Sequence, residues 1–163
     1  MTEQAAATAT DGGQRKPQFA IQRLYVKDVS FEVPSAPAVF MQEWAPEIKV
    51  EFSSAAGKLS ESQYEVVLLL TVKAMLKDKV AYIAETRYAG VFVIDGFDAA
   101  TTEMIIGAQC PTVLYPYGRE VIHDLITRGS FPQFNLQPIN FEAVYLDARR
   151  RRQEADSAEA AKH

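Results

Sequence analysis

The clearest hydrophobic pattern lies in residues 63–94, where two runs rich in β-branched and aromatic residues are separated by a short polar break at 77–79. This pattern predicts a β-hairpin. Side chains of a strand point alternately to the two faces of its sheet. One face of the hairpin therefore collects mostly apolar side chains: Tyr64, Val66, Leu68, Leu70, Val72, Val80, Tyr82, Ala84 and Tyr88. We expect this face to form the core under a covering layer.

The opposite face of the hairpin is mixed in character. It carries Glu65, Val67, Leu69, Thr71 and Lys73 on the first strand, and Ala81, Ile83, Glu85, Arg87 and Val91 on the second. Such a face is too apolar for plain solvent exposure and too charged for a core, which favours contact with a partner.

Two further strands are predicted, one in residues 19–33 and one in residues 47–53. In the first, alternation directs Tyr25, Val29, Phe31 and Val33 to the core, and Val26, Asp28, Ser30 and Glu32 to the other side. In the second, Ile48, Val50 and Phe52 face inward, and residues 53–62 form a turn. Four strands joined by loops indicate an antiparallel sheet with one face solvated or partnered.

After residue 96, the spacing of apolar residues changes from that of a strand to that of a helix. Asp98 is predicted to cap a helix that ends at Pro111, and Pro111 then begins a second helix that closes at Arg128 and Gly129. Asn140 is predicted to cap a last helix. The broad apolar stripe of the second helix is typical of a helix with contacts on more than one side, as in an oligomer. The fold class is therefore α+β.

Aromatic side chains are concentrated in two proline-bearing segments, residues 34–46 and 130–139. The large apolar residues in and beside them are Phe40, Met41, Trp44, Phe131, Phe134, Leu136, Ile139 and Phe141. They form either a small core under the loops or an adaptable lining for extended peptides.

Three carboxylates, Asp28, Glu32 and Glu85, are predicted on the mixed face. Carboxylates in such positions are usually solvated, and a catalytic cluster is a second possibility. Their predicted apolar neighbours instead resemble a docking surface: Leu24, Val26, Val67, Leu69, Ile83 and Val91.

Composition places the chain among globular proteins with a single core. The chain has 163 residues, a formal net charge of −4 and one cysteine, which excludes an internal disulfide. Its acidity argues against nucleic acid and suits a basic protein partner. We read residues 1–17 and 153–163 as disordered tails around one domain, 18–152. With no secretory signal and no apolar run of membrane-spanning length, a cytoplasmic protein without direct membrane insertion is expected.

Signatures of catalysis are absent, because the chain contains no GxGxxG, HExxH or GxSxG motif and no phosphate-binding loop. Cys110 and His123 lie too far apart on a helix to form a nucleophile pair. We expect no catalytic residue, no metal site and no cofactor.

Three segments together resemble the SecB family of bacterial protein-export chaperones. They are FAIQRLYVKDVSFEVPSAPAVFMQEWAPEIKV, GAQCPTVLYPYGREVIHDLITRGSFPQFNL and PINFEAVYLDA, within residues 19–148. The motifs YxKDxSFExP, CPxxLxPYxRExI and RGxFPxxNLxPxNF that they contain are specific. The four arginines 149–152 depart from the family pattern.

The resemblance implies a four-stranded antiparallel sheet with a long helix and a shorter C-terminal helix on one face. It also implies a homotetramer, a dimer of dimers with paired eight-stranded sheets around central helices. The implied function is that of a cytosolic holdase, which keeps unfolded precursors competent for translocation and delivers them to the SecA motor. The implied SecA-docking face is Asp28, Glu32, Ile83 and Glu85, and the implied client groove is lined by Phe40, Trp44, Phe131, Phe134 and Leu136.

Two other interpretations compete with a chaperone. A hot-dog-like thioester hydrolase, or another small-molecule-binding oligomer, would also combine a long helix with an antiparallel sheet, and Asp98 or Glu103 would then be the candidate carboxylates. A purely structural oligomer would not delay the refolding of a client.

Overall fold

A computed structural model describes residues 16–160 of the chain and shows one four-stranded antiparallel sheet within that range. The strands are β1 (Gln18–Glu32), β2 (Glu47–Lys58), β3 (Gln63–Leu76) and β4 (Lys79–Asp95). Their order in the sheet is β1-β4-β3-β2, so β1 and β2 form the two edges. The predicted antiparallel architecture is confirmed.

The inner face of the β3–β4 hairpin is buried under a helix, as the hydrophobic pattern predicts. Leu68, Leu70 and Tyr82 are fully buried on the sheet side, and Leu114 and Ile122 are fully buried on the helix side. Each such side chain contributes about 1.5–3 kcal/mol when it is removed from water. Gly118 lets this helix approach closely, because a Cβ there would lie 2.9 Å from Leu70 Cδ1.

The covering helix is one continuous stretch rather than two helices. It comprises α1 (Ala99–Met104), a π-helical turn (Ile105–Gln109) and α2 (Cys110–Arg128), with helical backbone angles at both junctions. The predicted end at Pro111 was therefore wrong. A proline ring clashes with the carbonyl four residues before it in a regular α-helix. The wider π-helical turn lies just before Pro111 and provides room for the ring.

The predicted helix caps are found at both helix starts. Asp98 accepts a hydrogen bond from the Thr101 amide at 2.8 Å, and Asn140 accepts one from the Ala143 amide at 3.0 Å. The helix α3 (Phe141–Ala160) packs against the π-helical turn, where Tyr145 lies over Gly107. None of the helices within residues 16–160 has the length and apolar character to cross a membrane.

Two register shifts in β1 change which side chains face the core. They lie between Ile21 and Arg23 and between Val26 and Asp28, so a simple alternation does not hold along this strand. Val26 pairs with Tyr88 on the inner face, whereas Tyr25 bonds Glu65 on the outer face. The predictions of a core Tyr25 and of outward-facing Leu24 and Val26 were therefore wrong. A β-bulge adds one residue to a strand and exchanges the faces beyond it.

Strand β2 and helix α3 are longer than predicted. β2 continues to Lys58, because its backbone pairs with β3 through a segment with few strand-forming side chains. α3 continues to Ala160 through a segment that was predicted to be disordered, where alanine and glutamate favour helix. The predicted N-terminal tail, residues 1–17, lies outside the described residues except for its last two positions.

We expect Gly129→Ala to lower the free energy of unfolding by about 1–3 kcal/mol. The φ of Gly129 is −74°, which alanine adopts readily, but an added Cβ would lie 2.4 Å from Phe31 Cζ. Chemical denaturation measures the effect. Gly57→Ala is the control, since a Cβ there meets no atom within 4 Å. Equal free energies of unfolding for Gly129→Ala and Gly57→Ala would contradict the close packing of Phe31 on Gly129.

Candidate docking face and client-binding groove

The outer face of β1 and β4 brings the predicted docking residues together. Across the two strands, Asp28 pairs with Arg87, Ser30 with Glu85, and Glu32 with Ile83. We call Asp28, Glu32, Ile83 and Glu85 the acidic face. Its carboxylates lie on neighbouring strands of a rigid sheet, which fixes their spacing.

The carboxylates Asp28 and Glu85 of the acidic face make their polar contacts with neighbouring side chains of the same sheet. Arg87 Nη1 lies 3.3 Å from Asp28 Oδ2, and Arg87 Nη2 lies 3.9 Å from Glu85 Oε1. Thr71 Oγ1 donates a hydrogen bond to Glu85 Oε2 at 3.0 Å. The side chain of Asp28 is 52% exposed and that of Glu85 is 28% exposed. Both carboxylates remain open to solvent on one side.

A second polar cluster lies on the same side of the sheet and was not predicted. Glu65 accepts hydrogen bonds from Lys27 Nζ, at 2.8 and 2.9 Å, and from the Tyr25 hydroxyl. Lys27, then Tyr25, hold the pKa of Glu65 below its usual range. The cluster joins β1 to β3 across β4, and sequence alternation could not reveal it because it depends on the bulge near Lys27.

An aromatic cluster lies on the inner side of β4. Tyr82 is its centre, with ring centroids 4.9 Å from Phe131 and 6.2 Å from Trp44. Phe131 is also 5.3 Å from Phe40 and 5.2 Å from Trp44. Phe40 remains 49% exposed, while Phe131 is buried. Phe40, Trp44 and Phe131 of the two loops therefore meet. Tyr82 lies in the core, as predicted, and its support of these rings was not predicted.

The remaining predicted groove residues lie in a different place. Phe134 and Leu136 line a pocket of about 390 Å³ together with Pro116, Arg119 and His123. Leu136 is only 5% exposed. The five predicted residues thus separate into two groups. Phe40, Trp44 and Phe131 form the aromatic cluster around Tyr82, and Phe134 and Leu136 line a pocket against α2.

The hydroxyl of Tyr82 is buried without a hydrogen-bond partner among residues 16–160. Burial raises the pKa of Tyr82 to about 12. Leaving a buried hydroxyl unsatisfied costs about 1–3 kcal/mol. The cluster therefore carries one polar group that the described part of the chain does not satisfy.

Cys110, Asp98 and Glu103, which were considered as catalytic candidates, lie in the core, at a helix cap and beside a pocket of the fold. Cys110 is fully buried, and burial raises the pKa of its thiol to about 12, which keeps the thiol protonated. Asp98 is engaged as the cap of α1, and Glu103 lines a pocket between β2 and α3. Within residues 16–160, no three His, Cys, Asp or Glu side chains are grouped as a metal site would require.

The four arginines that depart from the family pattern lie on α3. Arg150 and Arg151 pair with Asp147 one turn earlier, at 2.5 and 2.7 Å. Arg149 and Arg152 face the pocket of about 400 Å³ between α3 and β2. Arg150 and Arg151 are mostly exposed, and they lie in the middle of α3 rather than at its end.

The sheet carries an aromatic cluster with a half-exposed Phe40 on its inner side and carboxylates on its outer side, features that suit a protein that binds other polypeptides. The family described as preprotein translocase subunit SecB matches residues 12–152. The chain belongs to the SecB family.

Proteins of the same family are similar to this chain over nearly its whole length. The chain is 46% identical over 160 residues to the protein-export protein SecB of Marinobacter nauticus, covering 98% of this chain and 96% of that protein. It is 48% identical over 151 residues to the protein of the same name from Hahella chejuensis, covering 91% and 95%. The family consists of chaperones and not of enzymes, and the comparisons do not support the thioester hydrolase alternative.

A solved structure has a similar fold. It is a SecB-like chaperone of Mycobacterium tuberculosis in complex with a peptide from an antitoxin. The TM-score is 0.60 at 20% identity, with 74% of this chain and 87% of that chain covered. This likeness supports the arrangement of sheet and helices described above.

We expect Tyr82→Phe to leave the free energy of unfolding unchanged or to raise it by about 1 kcal/mol, because it removes an unsatisfied buried hydroxyl. Tyr115→Phe is the matched control. The Tyr115 hydroxyl donates to the Gln137 carbonyl, so its removal should cost about 1 kcal/mol. Urea denaturation of both variants measures the difference, and an equal loss in both would show that the Tyr82 hydroxyl has a partner.

Proposed function

We propose that this export chaperone is a cytoplasmic holdase that binds unfolded precursor polypeptides at the aromatic cluster and delivers them to the SecA motor through the acidic face. The aromatic cluster is the observation that carries the proposal. Phe40 keeps about half of its surface in water although a packed core lies next to it. An aromatic side chain left exposed beside a finished core gains free energy when a partner covers it.

Capture at the cluster depends on apolar contact rather than on a sequence pattern in the client. Phe40 belongs to the loop between β1 and β2, and Phe131 follows α2, so two connecting segments supply the contact surface. Met41 beside them is 89% exposed and offers a flexible apolar side chain. Such a surface adapts to many unfolded segments, which is what a holdase requires.

Delivery is assigned to the acidic face, since negative charge attracts a basic partner over a distance. Asp28 and the partly exposed Glu85 combine charge with the apolar Ile83 on one side of the sheet. Charge steers the encounter, and apolar burial adds affinity once contact is made. SecA is the partner that the family resemblance implies for this face.

The two proposed sites lie on opposite sides of one strand. Tyr82 and Ile83 are consecutive in β4, and consecutive strand residues point to opposite faces. Tyr82 contacts Trp44 and Phe131, while Ile83 belongs to the acidic face. A client on the inner side therefore leaves the outer side free for a second protein.

Pairing of two copies, the first step of the expected dimer of dimers, is supported by the edge strand β1. Three large apolar residues of β1, Ile21, Val26 and Val29, are 47%, 47% and 40% exposed. The helix α2 packs mainly on β3 and β4. It therefore leaves these residues of β1 uncovered on the inner face of the sheet. Edge-to-edge pairing of two four-stranded sheets would give eight strands, and a second copy would cover these residues.

A pair of variants tests whether capture and delivery are separate. Asp28→Lys, Glu32→Lys and Glu85→Lys together should weaken SecA binding at least tenfold, because attraction becomes repulsion. The same triple variant should still suppress aggregation of an unfolded precursor, as measured by light scattering. Phe40→Asp should show the reverse, since it places a charge in the aromatic cluster.

Each variant is the control for the other, and both should keep the circular dichroism of the wild-type protein. If either variant folds correctly but loses client holding and SecA binding to the same extent, the two sites are not separate. SecA binding should also weaken as the salt concentration rises, because exposed charges are screened.

A further inference from the structure

One arginine lies within the acidic face. Arg87 is on β4 directly opposite Asp28 of β1, and it is two residues from Glu85 on the same side of its own strand. Its guanidinium is 3.3 Å from one carboxylate and 3.9 Å from the other. The face that is proposed to attract a basic partner therefore contains a cation that already contacts two of its three carboxylates, Asp28 and Glu85.

These contacts are loose compared with strong ion pairs. Charge-assisted N–H···O bonds are usually about 2.7–2.9 Å long. Arg87 is 47% exposed, so water competes for both of its carboxylates. Exposed pairs of this kind contribute little to stability and break readily.

Lys27 provides a comparison on the same side of the sheet. Its ammonium contacts both oxygens of Glu65, at 2.8 and 2.9 Å, and the Tyr25 hydroxyl bonds the same carboxylate. The Glu65 side chain is 21% exposed, against 52% for Asp28. Lys27 is thus held by a carboxylate outside the acidic face, whereas Arg87 can leave its partners.

We propose that Arg87 is a specificity-determining residue of the acidic face, which holds Asp28 and Glu85 in a displaceable ion pair and so lowers the affinity for basic partners. A partner must replace Arg87 at both carboxylates. Surfaces with cations placed to match the two carboxylates can do so, and diffusely basic surfaces gain less. This inference rests on the proposed docking function.

The test compares SecA binding to the full-length wild-type chaperone, Arg87→Gln and Arg87→Lys at several salt concentrations. Arg87→Gln should bind about two- to fivefold more tightly, the range expected when a competing exposed ion pair is removed. Its affinity should also fall more steeply with salt, because two carboxylates are freed for the partner. Arg87→Lys keeps the charge and should stay close to wild type.

Arg128→Gln is the matched control. Arg128 also forms an exposed pair with a carboxylate, Asp124, at 2.7 Å, but it lies at the end of α2 and not on the acidic face. Arg128→Gln changes the net charge by the same amount and should leave SecA affinity unchanged. Equal tightening by both glutamine variants would show an effect of net charge and would overturn the inference.

Unchanged or weaker binding of Arg87→Gln would also overturn it. The triple lysine variant of the acidic face distinguishes this failure from a failure of the proposed function. If the triple variant loses SecA binding while Arg87→Gln does not gain any, only the role of Arg87 is rejected. If the triple variant binds SecA as well as wild type does, the docking function itself is rejected.

Discussion

Burial of the inner face of the β3–β4 hairpin under α2 is the interaction on which the rest of the structure depends. Leu68, Leu70 and Tyr82 share one buried core with Leu114 and Ile122, and the packing of α2 on β3 and β4 fixes the helix on the sheet. Because one face is committed to the core, the other face is free to carry charge. The loops at the ends of β1 and α2 are then attached to a rigid frame, where side chains that do not fit the core remain available to a partner.

The proposed capture and delivery sites use this asymmetry. In the proposed function, the aromatic cluster binds a client through apolar burial, which salt screening does not weaken, and the acidic face binds SecA through charge, which salt does weaken. Adjacent residues of β4 belong to the two proposed sites, since Tyr82 supports the cluster and Ile83 lies among the carboxylates. The sheet separates the two proposed sites in space.

The hairpin, the four strands and the helix caps could be predicted because they depend on local periodicity and on residues such as Asp98 and Asn140. The bulges of β1 could not, since a bulge is defined by the register with a partner strand, and this hid the outward position of Tyr25. The helix through Pro111 could not be predicted because packing of the apolar stripe outweighs a local break signal. The residues of the acidic face could be grouped by alternation beyond the second bulge, whereas the grouping of Phe40 and Trp44 with Phe131 depends on how two loops fold over the core.

Fluorescence of Trp44 tests the central claim most directly, because it is the single tryptophan of the chain and belongs to the aromatic cluster. Titration with an unfolded precursor that lacks tryptophan reports only on this site. The account predicts a saturable change in the Trp44 emission, with the same midpoint as the suppression of precursor aggregation, and an equal change in a variant whose acidic face is reversed. Aggregation suppressed by the chaperone while the Trp44 emission stays constant would contradict the account.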